Sequence, residues 1–107
     1  MRQHTARDFK LCSIVKAELL FGALASKRSA DNLRRLDFLF ARFESFDFTD
    51  ECAVHCGEIR AALQRNATPI DPNDLLIASV ALANGVAVFT RNEREFRRVP
   101  KLRVEIY

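Results

Sequence analysis

The sequence predicts an α/β fold in which helices cover both faces of a mostly parallel sheet. Short apolar segments alternate with longer segments whose apolar residues recur at helical spacing, and this alternation favours strand–helix–strand units. The chain has 107 residues, 49% hydrophobic and 29% charged, so one folded domain over residues 1–107 is expected. No apolar run in the sequence approaches the roughly 18 residues of a membrane-spanning helix.

The first predicted strand, Phe9–Val15, is a short apolar run typical of a buried strand. Lys16–Ala25 is predicted as a short helix, and Ser29–Phe43 as a longer one because its apolar residues share a face. The residues of that face are Leu33, Leu36, Phe40 and Phe43. Phe21 and Phe38 add apolar area elsewhere, which predicts self-association, since a small domain has limited capacity to hide both sides of its helices.

A second strand, Ser45–Phe48, leads to a helix that Thr49 or Asp50 caps and that reaches about Arg65. Two cysteines share one face of this helix with two aliphatic residues, which favours buried packing over a zinc site. That face consists of Cys52, Cys56, Ile59 and Leu63. An odd number of cysteines, three in all, and an N-terminus without a signal-peptide pattern favour a cytoplasmic protein.

Asp71 is predicted to cap the next helix, with Pro72 at the first helical position, where its missing N–H costs nothing. This helix is expected to run to Asn84, and Gly85 is its predicted C-cap. The remaining predicted elements are a strand Val86–Thr90, a helical turn Glu93–Phe96 and a strand Leu102–Ile106.

Two carboxylates occupy positions near the predicted carboxyl ends of the strands. Glu18 follows the first strand, and Asp74 lies in the first turn of the helix that begins at Pro72. Taken alone, each acid is explained by its favourable interaction with a helix N-terminus. The alternative is a metal site, because open α/β sheets bind ligands in the crevice at this edge. Residue chemistry by itself leaves both interpretations open.

Three short motifs carry a resemblance to a known family. They are Val15–Leu19 (VKAEL, followed by Phe21-Gly22), Pro72–Ala78 (PNDLLIA) and Thr90–Asn92 (TRN). Together they resemble the PIN-domain ribonucleases of the VapC toxin type. The resemblance implies a PIN-like three-layer sandwich with a mostly parallel sheet, and a metal-dependent RNA endonuclease that acts as the toxin of a toxin–antitoxin pair.

The resemblance also implies roles for individual residues. Glu18 and Asp74 are expected to bind Mg²⁺ or Mn²⁺ and, with Asn92, to form the catalytic site. Oxygen ligands suit these hard cations, which activate water and stabilise charge on a phosphodiester. Three neighbouring residues are expected to orient these metal ligands without binding the ion themselves, and they are Asn73, Thr90 and Glu95. For Glu95, a position on a solvated face is an equally good interpretation.

The basic residues are concentrated near the C-terminus, and the net charge is +3. Arg91 and Arg94 lie beside the expected crevice and are predicted to contact RNA phosphates. The others are interpreted as ordinary charged surface, and they are Arg97, Arg98, Lys101 and Arg103. The family further implies a cognate antitoxin and a homodimer as partners.

One part of the family pattern has no counterpart here. In the family, a first strand that carries an Asp precedes the segment equivalent to Phe9–Val15, and this sequence begins after it. We expect the first, central strand and one carboxylate to be missing, so that the 107-residue chain is marginally stable and weakly active. The alternative is a non-catalytic PIN-like module that binds an antitoxin or another protein.

Overall fold

The computed structural model describes residues 11–90 and 93–106. It divides into two compact units, which we call the N-terminal unit, Met1–Asp47, and the C-terminal unit, Phe48–Tyr107. In the part of each unit that the structure describes, one pair of parallel strands accompanies the helices. The alternation of strands and helices predicted from the sequence is therefore confirmed in the described residues.

The described residues of the N-terminal unit form two short strands and two helices, which are β1 (Leu11–Cys12), α1 (Ser13–Ala25), α2 (Ser29–Arg42) and β2 (Ser45–Phe46). Strands β1 and β2 pair in parallel, with Leu11 opposite Ser45. The chain returns from the end of α1 through Ser26, whose hydroxyl donates to the carbonyl of Ala23 at 2.6 Å and accepts from Asn32 at 2.8 Å. These bonds fix the turn between the two helices.

The boundary predicted between the first strand and the first helix is wrong. Of the predicted strand Phe9–Val15, residues 9 and 10 lie outside the described residues, Leu11–Cys12 is strand, and residues 13–15 already belong to α1. The Ser13 hydroxyl lies 3.3 Å from the Phe46 carbonyl and 3.2 Å from an Asp47 carboxylate oxygen, bonds that tie the start of α1 to the end of β2. A short apolar run does not by itself distinguish a strand from a buried helical turn.

The C-terminal unit follows, with three helices and two strands among its described residues. They are α3 (Asp50–Arg65), α4 (Pro72–Asn84), β3 (Val88–Thr90), α5 (Glu93–Phe96) and β4 (Val104–Ile106). Strands β3 and β4 are parallel, with Val88 opposite Val104. The strands in both units are two or three residues long, shorter than predicted, while the predicted helix boundaries from Ser29 onward hold to within one residue.

The core of the C-terminal unit lies where α3, α4, β3 and the segment after β3 meet. Its buried residues are Ile59, Leu63, Ala78, Ala81, Val88, Phe96 and Val99. The apolar face predicted for α3 is confirmed, with Cys52 fully buried and Cys56 half-buried. Full burial of a large apolar side chain contributes about 1.5–3 kcal/mol, so this cluster is the main source of stability within the unit.

Helices α3 and α4 begin and end with recognisable caps. Thr49 caps α3 by accepting the Cys52 N–H at 3.3 Å. Both helices end in a Schellman motif, in which a left-handed residue turns the chain. That residue is Gly85 after α4, with φ of 65°, but Ala67 after α3, with φ of 54°. Because an alanine Cβ is strained in this region, the end of α3 stores a small unfavourable energy.

Within residues 11–90 and 93–106, no helix combines the length and apolar character that crossing a bilayer requires.

Candidate functional site

The start of α4 is the best-defined part of the candidate site. The Asp71 carboxylate accepts the backbone N–H groups of Asn73 at 2.9 Å and Asp74 at 3.4 Å, while its own carbonyl accepts from Leu75 at 2.9 Å. Pro72 occupies the first helical position. The prediction that Asp71 caps this helix is confirmed. The cap holds the first turn of α4, and with it the half-buried Asp74, in one backbone conformation.

The environment of Asp74 suits a negative charge. Asp74 is the acidic residue of the first turn of α4, at the N-terminal end of the helix, where the aligned peptide dipoles give a partial positive charge. Asp74 and Asn73 also take part in further polar or electrostatic interactions. A carboxylate at this position is an oxygen ligand of the kind that a magnesium site requires.

A second segment meets the start of α4. The Glu95 carboxylate accepts the backbone N–H of Asp71 at 3.5 Å, and the Arg98 guanidinium donates to the carbonyl of Pro69 at 2.8 Å. Phe96 and Val99, which alternate with these polar residues, are buried in the core. Glu95 therefore lies beside the capped turn, while its role in supporting a metal ligand stays a prediction.

The predicted site residues fall in both units. Glu18 is exposed on α1 of the N-terminal unit, and Asp74 and Thr90 lie in the C-terminal unit. All three have polar partners or electrostatic interactions. Asn92 and Arg91 lie outside the described residues. The convergence of Glu18, Asp74 and Asn92 on one ion thus stays a prediction. The described residues contain no cluster of three or more His, Cys, Asp or Glu side chains suited to a metal.

The C-terminal unit also contains an open cleft of about 520 Å³ between the end of α3 and the start of α4. Its lining includes Leu63, Ile70 and Leu75, with Arg60 and Gln64 as polar members. No carboxylate is among the described residues that line it. The described lining of this mainly apolar cleft therefore lacks the carboxylate ligands of a magnesium site. The better candidates for such ligands in this unit are the carboxylates at the start of α4.

The basic residues near the C-terminus differ in their contacts. Arg94 is exposed on α5, as a residue that contacts phosphate must be. Arg97 pairs with Glu93 at 2.5 Å. Arg98 and Arg103 each donate to a backbone carbonyl at 2.8 Å, the first at Pro69 and the second at Gly85. Both bonds are exposed, so these two arginines belong to the surface as predicted, but sequence reasoning missed their bonds because each joins residues at least 18 positions apart.

Comparison with known proteins supplies the family context for these residues. The model of the PIN domain family matches residues 3–102. The chain is 41% identical over 95 residues to Ribonuclease VapC2 of Rickettsia felis, covering 89% of this chain and 71% of that protein. It is 40% identical over 95 residues to the tRNA(fMet)-specific endonuclease VapC of Salmonella typhimurium, covering 89% of this chain and 72% of that protein.

Solved structures give the same result for the fold. VapBC2 from Rickettsia felis bound to a promoter DNA fragment matches with a TM-score of 0.87 at 40% identity, covering 92% of this chain and 74% of that one. VapBC-1 from nontypeable Haemophilus influenzae matches with a TM-score of 0.89 at 27% identity, covering 98% of this chain and 78% of that one. The α/β, PIN-like fold class predicted from the sequence is confirmed by these similarities.

Proposed function

Since this chain belongs to the PIN domain family, with VapC ribonucleases as relatives, we propose that it is a metal-dependent RNA endonuclease of a toxin–antitoxin pair. The observation that carries the proposal is identity of about 40% to two VapC proteins, one named a ribonuclease and the other a tRNA(fMet)-specific endonuclease, across almost nine-tenths of this chain. The capped turn that presents Asp74 lies within the matched region.

We assign the divalent ion, Mg²⁺ or Mn²⁺, to the carboxylates of Glu18 and Asp74, with Asn92 as the third residue of the catalytic site. The donor set fits, since both carboxylates supply the hard oxygen ligands that these cations prefer. When bound, such an ion supplies electrostatic stabilisation for a phosphodiester under attack by water. Asp71 fixes the turn that carries Asp74 through its two backbone hydrogen bonds.

Other residues assist in binding and orientation. We assign the support of the carboxylates to neighbours that can accept or donate hydrogen bonds, namely Asn73, Thr90 and Glu95. Contacts of Glu95 with the Asp71 N–H support this assignment. Arg91 and Arg94 are assigned to the RNA phosphates, and the exposed position of Arg94 supports its part.

The partners we propose are RNA, a cognate antitoxin and a second copy of the chain, all in the cytoplasm. Similarity to solved VapBC assemblies supports the antitoxin. Exposed Phe21 and Phe38 in the N-terminal unit support self-association, because apolar side chains of this size gain free energy when a partner covers them.

The test is cleavage of purified tRNA(fMet), chosen because a relative is named for that substrate, with and without Mg²⁺. The chain spans 71% and 72% of the length of these two relatives, and the assay includes an extended version to which a family-like first strand and helix are fused before Met1. We expect cleavage that depends on Mg²⁺, in the extended version at least.

The decisive variant is Asp74→Asn, which keeps the size of the side chain but removes a charged oxygen ligand. In the extended version we expect it to lower cleavage by at least about a hundredfold, the scale on which one electrostatic catalytic group contributes. Asp50→Asn is the matched control, since Asp50 is a first-turn carboxylate of α3 in the same unit. Cleavage that survives Asp74→Asn, or that needs no divalent ion, contradicts the proposal.

A further inference from the structure

Two arginines hold the two ends of helix α4. Arg98 donates to the carbonyl of Pro69, two residues before the cap of α4, and Arg103 donates to the carbonyl of Gly85 at its end. Both bonds are 2.8 Å long. The segment after α5 therefore holds α4 at both ends through bonds of the same chemical kind, a charged guanidinium donating to a backbone carbonyl.

The two ends differ in what they carry. Pro69 precedes Asp71, which caps α4 and accepts the backbone N–H of Asp74. Gly85 lies eleven residues beyond Asp74, about 16 Å along an α-helix at 1.5 Å per residue. A shift of the Pro69 backbone moves the adjacent turn that carries Asp74. A shift of the Gly85 backbone affects that turn only if the whole of α4 moves with it.

The segment that bears Arg98 is itself firmly placed. Val99 and Phe96 are each 3% exposed and belong to the core of the C-terminal unit. Glu95 makes a second contact with the same turn by accepting the Asp71 N–H at 3.5 Å. A side chain that lies between two core residues can hold a neighbouring loop in place, because its own backbone has little freedom.

We propose that Arg98 is a positioning residue, which holds the 69–74 turn so that Asp74 is presented for a divalent cation. This inference rests on the proposed function for the metal role of Asp74. Arg98 acts through Pro69 and the Asp71 cap, and it binds neither the ion nor the RNA.

The direction in which cation affinity changes when Arg98 is replaced distinguishes a positioning role from a direct effect of its positive charge. Removing a positive charge near a cation site strengthens cation binding, since like charges repel. Removing a positioning contact weakens binding, because the ligand then has to be ordered by the cation. Replacing Arg98 by an uncharged residue thus gives opposite results under the two explanations.

The first experiment measures Mn²⁺ affinity by calorimetric titration of the full chain. We expect Arg98→Met to weaken Mn²⁺ binding roughly tenfold, the lower end of the losses seen for groups that orient metal ligands. Arg103→Met is the matched control, with the same charge change and the same lost type of bond, and should leave the affinity within about twofold of the original. Arg98→Lys keeps a charged donor and should recover most of the loss.

The second experiment needs no metal and follows exchange of the Asn73 and Asp74 amide hydrogens. Both amides donate to the Asp71 carboxylate, so loosening of the turn exposes them. We expect faster exchange at these two amides in Arg98→Met and unchanged exchange there in Arg103→Met. Equal behaviour of the two variants overturns the positioning role, as does tighter Mn²⁺ binding by Arg98→Met.

The two experiments also separate this inference from the proposed function. If the parent chain binds no Mn²⁺ but Arg98→Met alone accelerates exchange at Asn73 and Asp74, the hold on the turn is supported and the metal site is wrong. If Mn²⁺ binds through Asp74 and neither readout distinguishes Arg98→Met from Arg103→Met, the metal site stands and the role of Arg98 is wrong.

Discussion

The two units of the chain handle their apolar residues in opposite ways. In the described part of the N-terminal unit, the buried residues are the small Cys12 and Ala23, while Phe21, Leu24 and Phe38 are 72%, 63% and 67% exposed. The C-terminal unit buries large side chains instead, in the core that contains Leu63 and Phe96. The unit that carries Asp74 thus has its own core, whereas the described part of the unit that carries Glu18 leaves large apolar side chains exposed.

The helix pairs show how this difference arises from sequence. The inward face predicted for α2 is half-buried, and the cationic groups of Lys16 and Arg42 lie 5.0 Å and 5.3 Å from the rings of Phe40 and Phe38. Such cation–π contacts cover aromatic surface while leaving it near water. In α4, by contrast, four successive residues, 78–81, are buried, which requires neighbours on several sides of the helix.

The largest effect expected from this comparison is on stability. Phe96→Ala removes a ring from the core of the C-terminal unit and should lower the free energy of unfolding by about 3–5 kcal/mol. Phe38→Ala removes a ring of the same size that is 67% exposed, and should cost about 1 kcal/mol or less, mainly through its contact with Arg42. Urea unfolding measures both, and equal losses would break the contrast between the units.

The next effect concerns association of the N-terminal unit. Phe38→Ser should weaken self-association about tenfold, which corresponds to about 1.4 kcal/mol, because it removes exposed apolar area from α2. Val54→Ser is the control, since Val54 is a comparably exposed apolar residue of the C-terminal unit. Sedimentation velocity at micromolar concentration gives the association constants. A parent chain that is monomeric there would remove the basis for the homodimer.

The smallest expected effect is on stability and concerns the C-terminal ends of helices α3 and α4. Ala67→Gly should stabilise the chain by about 1 kcal/mol, because glycine adopts a positive φ without the Cβ strain that alanine has. Gly85→Ala should destabilise it by about the same amount, although open space surrounds the added Cβ. Thermal unfolding measures both changes, and changes of the same sign would show that backbone strain does not control these helix ends.

Local chemistry explains which structural features the sequence predicted well. The cap at Asp71 and the left-handed Gly85 were predictable because each signal lies within a few residues of the helix end it controls. Thr49, one of two predicted caps, is the residue that accepts the Cys52 N–H. Ala67 was not predictable, since nothing in its residue type favours a positive φ.

Longer-range features required the structure or the family. The positions of Arg98 and Arg103 depend on bonds across 29 and 18 residues, which leave no periodic pattern in the sequence. The functional assignment of Glu18 and Asp74 came from motif resemblance, because helix-start chemistry explains an acid at either position equally well. Their shared role in metal binding is therefore the assignment that most needs measurement.

The most direct test is the stoichiometry and affinity of Mn²⁺ binding in the chain and in its Glu18→Gln, Asp74→Asn and Asp50→Asn variants. If Glu18 in the N-terminal unit and Asp74 in the C-terminal unit share one ion, calorimetry should find one Mn²⁺ per chain, with each of the first two substitutions weakening it about tenfold or more. Asp50→Asn should leave the affinity unchanged. Loss of affinity in Asp74→Asn alone, or two independent ions per chain, would contradict a shared metal site.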